Sequence, residues 1–579
     1  MKKRFVRSAI LVALAAILLL VLTWKVPRVE GQVLDEDGKP VAGAIVRLRA
    51  TSYAVQTDSQ GRFTFFGFPP ALKIRVTAWA DGYYVAGRAV WPWNRAVTLT
   101  LLPYAVPDNT AYTWIPPAIE GRDTWDELNI RFRLDPTAAL APDALFFKAA
   151  EGLTLGCRDC HGETIYNQWI GGAHALGFGN PRFASMYNGT DITGERQSPL
   201  TRYAFNRDYG SFPLRPDPNQ PYYGPGYKLD FPETAGNCAA CHLPSAALTK
   251  PYETDPNTAS GVDAFGSHCD FCHKIAAVKL EPGTGLPYEN MPGILSIQMM
   301  RPLPEKQIFF GPYDDVDAGV DTYLPLQRQS EYCAPCHTAS FWDTPVYQSF
   351  AEWKASPYSD AATGKTCQDC HMQPDGVISN FAPLRAGKER DPASIPSHNF
   401  PGASDESLLQ NALTMTAEAR RANDQIVVDV SLLNDQTGHH IPTDSPLRQL
   451  LLLVNVTDAN GQALTLLEGE TIPEWGGVGD PSLGYYAGLP GKGYAKILSE
   501  LWTETTPTGA YWNPTRIFSD NRIAAFASDT STYVFTAPEA GAATVRVDLL
   551  FRRAFKELME QKGWEVSDIM MEQEIVQVP

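Results

Sequence analysis

All ten cysteines of this chain fall into five copies of one pattern, and each copy is closed by a histidine. The copies are CRDCH (Cys157, Cys160, His161), CAACH (Cys238, Cys241, His242), CDFCH (Cys269, Cys272, His273), CAPCH (Cys333, Cys336, His337) and CQDCH (Cys367, Cys370, His371). Two thiols three positions apart on a helical turn reach the two vinyl groups of one porphyrin and become thioethers. The next residue lies on the same face, so its imidazole can rise to the iron. C-x-x-C-H is the attachment pattern of c-type haem. The same cysteine spacing serves zinc ribbons and redox dithiols, but zinc takes such pairs two by two and five is odd. A disulfide framework has no use for the trailing histidines. With ten histidines in 579 residues, five chance placements behind five cysteine pairs are negligible. The sequence predicts five covalent haems, with the ten cysteines as attachment points and His161, His242, His273, His337 and His371 as proximal iron ligands.

An iron held by its proximal histidine has one axial position left, and the protein decides what fills it. Five histidines remain, His174, His268, His398, His439 and His440, enough to supply a distal ligand to every iron. His174 stands in NQWIGGAHAL, with Trp169 about one helical turn before it; a buried core histidine is the alternative reading. His398, in SHNFPG, is alone in a loop near the last motif. His268 directly precedes Cys269 and cannot easily swing over the haem of its own motif. It serves a neighbouring haem or is an ordinary polar residue beside a propionate. His439 and His440 are adjacent in TGHHIPTD, bracketed by Gly438 and Pro442, which predicts an extended or turning backbone. Consecutive side chains then point to opposite faces. At least one of the pair faces a haem, and both do so only if haems flank the loop. Met186, Met291, Met299, Met300 and Met372 lie within the haem region as further axial candidates.

The elements that must position these groups divide the chain unevenly. From VEGQVLDEDGKPVAGAIVRLRATSYAVQTDSQGRFTFFGFPP the chain alternates apolar and polar residues with period two, broken by turn signals at DEDGKP and TDSQGR. That predicts an all-β sandwich over 29–104. Its G-x-V-x-D-x-x-G-x-P-V-x-G-A-x-V and T-D-x-x-G-x-F signatures, from Gly31 to Phe63, resemble the carboxypeptidase regulatory-like domain. The resemblance implies a spacer or docking module without a catalytic residue or zinc ligand. A proline-rich connector covers 105–144. The haem region, 145–409, shows little sustained periodicity and reads as irregular chain with short helices, porphyrins supplying the apolar volume that side chains do not. QIVVDVSLLN, RQLLLLVNVTDANGQAL and ATVRVDLLF then predict a second β-sandwich over 410–552 that supplies an axial histidine. A helical tail over 553–579 starts at RRAFKELMEQKGW. The expected architecture is multidomain, β at both ends and irregular or helical between.

The chain opens on MKKRFVRSAILVALAAILLLVLTWKVPR, with Lys2, Lys3, Arg4 and Arg7 ahead of an uncharged run from Ser8 to Trp24. This is the charge asymmetry of an exported N-terminus. No small-x-small cleavage site follows, so residues 1–28 are expected to be a basic end and retained signal anchor, a cleaved signal peptide being the alternative. The expected location is membrane-anchored, facing the periplasm or the extracellular side. A net charge of −17 argues against nucleic acid as a partner and for solubility or a cationic partner.

The succession CRDCH with W-x-x-x-x-HA, CDFCHK, EYCAPCH, YQSFAEWKASPY, TCQDCHM, SHNF and GHHIPTDSPLR resembles a family of exported multihaem c-type cytochromes related in their haem motifs to the cytochrome c554 group. The likeness runs from about Gly156 to Leu450. It implies axial roles for His174, His398 and, through G-H-x-x-P-T, His439. His268 stands where such sequences commonly carry an aliphatic residue. The function expected is electron transfer between a membrane donor and a soluble or extracellular acceptor, alone or as a subunit of a larger complex, oligomer or filament, with no catalytic residue. The alternative is a reductase or oxidase of a small nitrogen or sulfur compound at an open haem. No C-x-x-C-K variant motif is present to support it.

Overall fold

The computed structural model describes residues 28–68, 74–91, 96–119, 155–304, 306–383 and 387–579. They form two compact units. One contains 28–113 together with Met299–Gln327 and Lys388–Asp391; the other contains Trp114–Gln298, Arg328–Gly387 and Pro392–Pro579.

In the first unit, period-two alternation buries one face of each strand. Arg28–Asp35 lies between Arg62–Phe66 and Ala96–Leu101, and a four-stranded sheet runs Ala54–Gln56, Ile45–Leu48, Ile74–Trp79, Ala86–Val90. Val29, Val33, Val46, Phe63, Phe65, Val76, Leu99 and Leu101 share one core between the two sheets. Gly31 pairs in parallel with Val97, so close that a Cβ there would sit 2.0 Å from the Val97 carbonyl oxygen. Only glycine fits at that approach. Residues 299–327, which the sequence reading placed in the haem region, pack in this unit. Asp314 takes Arg47 in a two-pronged pair at 2.6 and 2.8 Å, Asp317 pairs with Arg49 and Arg75, and Asp315 with Arg390 at 2.6 Å. Trp79 Nε1–H donates to Thr322 Oγ1 at 3.1 Å.

The second unit has two halves. Its first half holds the five cysteine motifs, three of them on very short helices and CAPCH on a turn: Ala239–His242 and Cys269–Cys272 are single turns, Cys367–His371 hardly longer. Even the longest helix among the described residues, Arg158–Ile170, is kinked at Gly162, whose φ is 80°. Its second half is a sandwich. One sheet runs Thr515–Asp520, Gly491–Glu500, Gln449–Thr457, Ala543–Arg552, Ile569–Val578; the other runs Thr414–Ala422, Gln425–Leu433, Ser528–Thr536, Leu466–Glu468. Val428, Val430, Leu450, Leu452, Val547 and Phe551, with others, form one continuous core between them.

The tail is only partly helical. Lys556–Lys562 is a helix, but Ile569–Val578 is a strand paired antiparallel with Ala543–Arg552. Pairing along Ala543–Arg552, with one irregularity at Leu549/Leu550, makes Ile569–Val578 an edge strand of the five-stranded sheet. Lys562 ties this segment to the first half: its buried ammonium donates to the carbonyls of Ser185 (2.9 Å), Thr190 (3.1 Å) and Pro225 (2.6 Å).

Membrane anchoring is corrected. Among the described residues no helix is long and apolar enough to cross a membrane. The run from Ser8 to Trp24, on which a signal anchor was expected, lies outside the described residues.

Candidate functional site

The five motifs, separated along the chain, meet in the second unit. The Cys157 thiol contacts Cys269, Cys241 contacts Cys336, and Cys333 contacts Cys367. Tyr332 beside CAPCH donates its hydroxyl to the Cys272 carbonyl at 2.7 Å. CRDCH is thereby joined to CDFCH, CDFCH to CAPCH, and CAPCH to both CAACH and CQDCH. No disulfide joins the ten cysteines. Burial pushes the thiols of Cys238 and Cys272 up to about 12. Among the described residues no three of His, Cys, Asp and Glu converge as a bare-metal site, so the cysteine pairs are not arranged as a zinc ribbon.

Local sequence explains how individual motifs are held. Thr366 and Asp369 form a capping box at the start of Cys367–His371, with the Thr366 N–H donating to Asp369 at 2.7 Å. At CDFCH the cap is His268, whose Nδ1 accepts from the Phe271 N–H at 3.1 Å. Asp270 in the same motif forms a fully buried pair with Lys274 at 2.7 Å and accepts from the Ile115 N–H at 2.8 Å.

The histidines arrange themselves in facing pairs. The rings of His371 and His439 have centres 6.4 Å apart with planes 21° apart. Those of His174 and His337 are 6.3 Å apart, with planes 87° apart. Two imidazoles on opposite sides of one metal, each with a metal–nitrogen bond of about 2.0 Å, have ring centres a little more than 6 Å apart, roughly 6.2 Å. Both pairs have that spacing.

Second ring nitrogens matter as much. His371 Nδ1 lies 2.8 Å from the Pro401 carbonyl, His439 Nδ1 3.0 Å from the His440 carbonyl and His161 Nδ1 2.7 Å from the Phe381 carbonyl. A carbonyl only accepts, so each Nδ1 carries the proton and each Nε2 keeps its lone pair, the tautomer a metal needs. Burial lowers His174 and His242 to about 4 and His398 to about 3, the neighbouring histidines adding to it. These imidazoles are neutral at pH 7. His337 is the exception: burial lowers it, but the Asp444 carboxylate, with Oδ2 3.6 Å from Nδ1, outweighs that and raises it to about 9.

His398 lies where the charges of His273 and His161 both act on it, its backbone N–H held by Gln168 Oε1 at 3.0 Å. His174 Nδ1 and His398 Nδ1 are buried with no hydrogen-bond partner. An orphaned buried polar atom costs about 1–3 kcal/mol, so these side chains sit where something else must compensate. The ten cysteines, the neutral histidines and the two ring spacings fit c-type haem.

His440 turns away from His439. Its Nδ1 is 3.7 Å from Glu352, and its N–H donates to the same carboxylate at 3.1 Å. Glu352 is buried against Arg522 at 2.7 Å. His268 is completely buried; its Nδ1 is an acceptor, so the proton sits on Nε2, the nitrogen that would have to bind iron. Met186 is buried in the packing around Trp512 and Leu558, Met291 and Met372 are half-buried, and Met299 and Met300 belong to the other unit. Sequence reasoning missed Asp444, Glu352 and the Phe183 ring, which stacks on His242 at 4.0 Å. The sequence carries no signal for Phe183; Asp444 stands within the quoted TGHHIPTD.

The sequence profile of the carboxypeptidase regulatory-like domain matches residues 28–101, so the N-terminal module is of that kind. No curated protein matches the chain. Among solved structures, a penta-heme cytochrome c552 from Thermochromatium tepidum is similar over 73% of this chain and 97% of its own, at 18% identity and a TM-score of 0.49. The Fcho1 Mu homology domain of Danio rerio with bound Eps15 peptide is similar over 30% of this chain and 44% of its own, at 10% identity and a TM-score of 0.12.

Proposed function

We propose that this chain is a pentahaem c-type cytochrome that passes electrons between redox partner proteins, alone or within a larger assembly. The observation that carries the reading is the pairing of each of two motif histidines with a second histidine at the spacing of a doubly ligated iron, His371 with His439 and His337 with His174. The ten cysteines would hold five haems and the five motif histidines their irons, with His174, His439 and His398 as distal ligands. His268 and His440 serve the fold instead, as a helix cap and as a partner of Glu352. Bound haem iron supplies reversible one-electron chemistry. The chain's part is to hold two imidazoles at fixed distance, so that a change of oxidation state requires little rearrangement, and to exclude water from them. Contact between successive motifs supports transfer along the set rather than chemistry at one of them.

Intact mass of the matured protein, read with low-temperature EPR, tests this. Five haems are expected, the three served by His174, His439 and His398 low-spin; His439→Ala should turn one of these high-spin and His440→Ala should not. Fewer than five haems would sink the count. A native high-spin haem that turns over a small nitrogen or sulfur compound would replace the electron carrier with the enzyme.

A further inference from the structure

Three proximal histidines have a defined neighbour at Nδ1, and the neighbours differ in charge. His161 and His371 face the neutral carbonyls of Phe381 and Pro401. His337 faces a carboxylate: Asp444 Oδ2 is 3.6 Å from its Nδ1. At that distance the two are in ionic contact rather than in a formed hydrogen bond, so the carboxylate acts mainly through its charge. Resting on the haem reading above, we infer that Asp444 is a positioning residue that sets the potential of the haem on CAPCH, holding it below that of the haem on CQDCH.

The site is built rather than incidental. Asp444 has a left-handed backbone, φ 67°, a conformation Asp tolerates better than most residues. The loop around it is fixed on several sides. Thr443 Oγ1 donates to Glu352 at 2.5 Å and lies 3.0 Å from Ser349 Oγ, and Arg448 donates to the Thr443 carbonyl at 3.0 Å. Asp444 Oδ1 is buried with no hydrogen-bond partner; besides His337, the Arg448 cation and the Ser349 hydroxyl act on the carboxylate and hold it in its charged form. His337 is held in turn, its carbonyl accepting from the Phe350 N–H at 3.1 Å. A negative charge beside Nδ1–H makes the imidazole a stronger donor, and a stronger donor stabilises ferric over ferrous iron. The two haems then share the same ligand chemistry but differ in the charge behind one ligand. CAPCH, which touches three other motifs, is the one affected.

The test is potentiometric titration of the full, haem-loaded chain, followed by absorbance and EPR. In Asp444→Asn one of five components should rise so that its ferric-to-ferrous ratio at fixed potential falls about tenfold, which is about 59 mV for one electron. Asp444→Glu, which keeps the charge, should stay near the native potential. His174→Ala identifies the component, because it should turn the same haem high-spin. Five haems with their native spin states in Asp444→Asn and no component moved would overturn the inference while leaving the haem reading intact. A rise in a component other than the one marked by His174→Ala would overturn it too. If Asp444→Asn does not fold, a shifted potential in Asp444→Glu overturns it and an unshifted one upholds it. A chain that carries no haem would instead sink the reading on which it rests.

Discussion

The two halves of the second unit are stabilised by different means. The C-terminal sandwich carries its own interior: strands of up to ten residues put Leu450, Leu452, Val547 and Phe551 into one buried cluster. In the motif half three motifs sit on helices of four or five residues, and the ten cysteines at its centre are only half-buried. A four-residue helix is far below the length at which helices are stable alone. The sandwich needs only its sequence to fold. The motif half is written for a guest.

The largest effect should come from withholding that guest. Chain produced where haem cannot be attached should lose protection across 155–298 and 328–383, while a fragment covering 414–578 survives limited proteolysis. Equal resistance of both halves would erase the contrast. Next, Phe551→Ala in the sandwich should cost about 3–5 kcal/mol by denaturant titration and leave the haem absorption spectrum of the folded protein unchanged. A spectral change would mean the halves share one interior. Lys562→Met should cost about 2–4 kcal/mol, because three buried carbonyls lose their donor; it should expose the helix Pro181–Asn188 to hydrogen exchange before the sandwich strands.

The smallest effect is a pH dependence centred on Glu500 of the sandwich. Burial, and then the nearby Asp230 carboxylate, raise Glu500 from 4.5 to about 7. Between those values the folded chain keeps a proton that the unfolded chain has lost, so stability falls as pH rises through the window and is level above it. Glu500→Gln should therefore stabilise by about 1–2 kcal/mol at pH 8 and by nothing at pH 4. An equal gain at both pH values would show that the effect is packing rather than charge.

Sequence legibility followed the same division. Alternation in QIVVDVSLLN and ATVRVDLLF is a local signal, and those strands stand where it puts them. IMMEQEIVQV carries no such alternation, and with a helical pattern just before it the tail reads as helix although it folds as a strand. The five motifs are equally plain in the sequence. What no local pattern reveals is which imidazole faces which. His439 and His440 are told apart by Glu352, held in turn by Arg522, both distant in sequence. The transfer of 299–327 to the N-terminal unit depends on Asp314, Asp315 and Asp317 meeting Arg47, Arg390 and Arg75, pairs that exist only once the chain has folded.

The Lys562 tie has a consequence for how the protein is made. Its acceptors, Ser185, Thr190 and Pro225, leave the ribosome long before the lysine that satisfies them, and His371 emerges ahead of His439. A chain that folds as it is synthesised thus passes through a stage in which His371 stands without His439 and the carbonyl cage stands empty. Both close only when the C-terminal sandwich arrives, so the motif half reaches its final packing last.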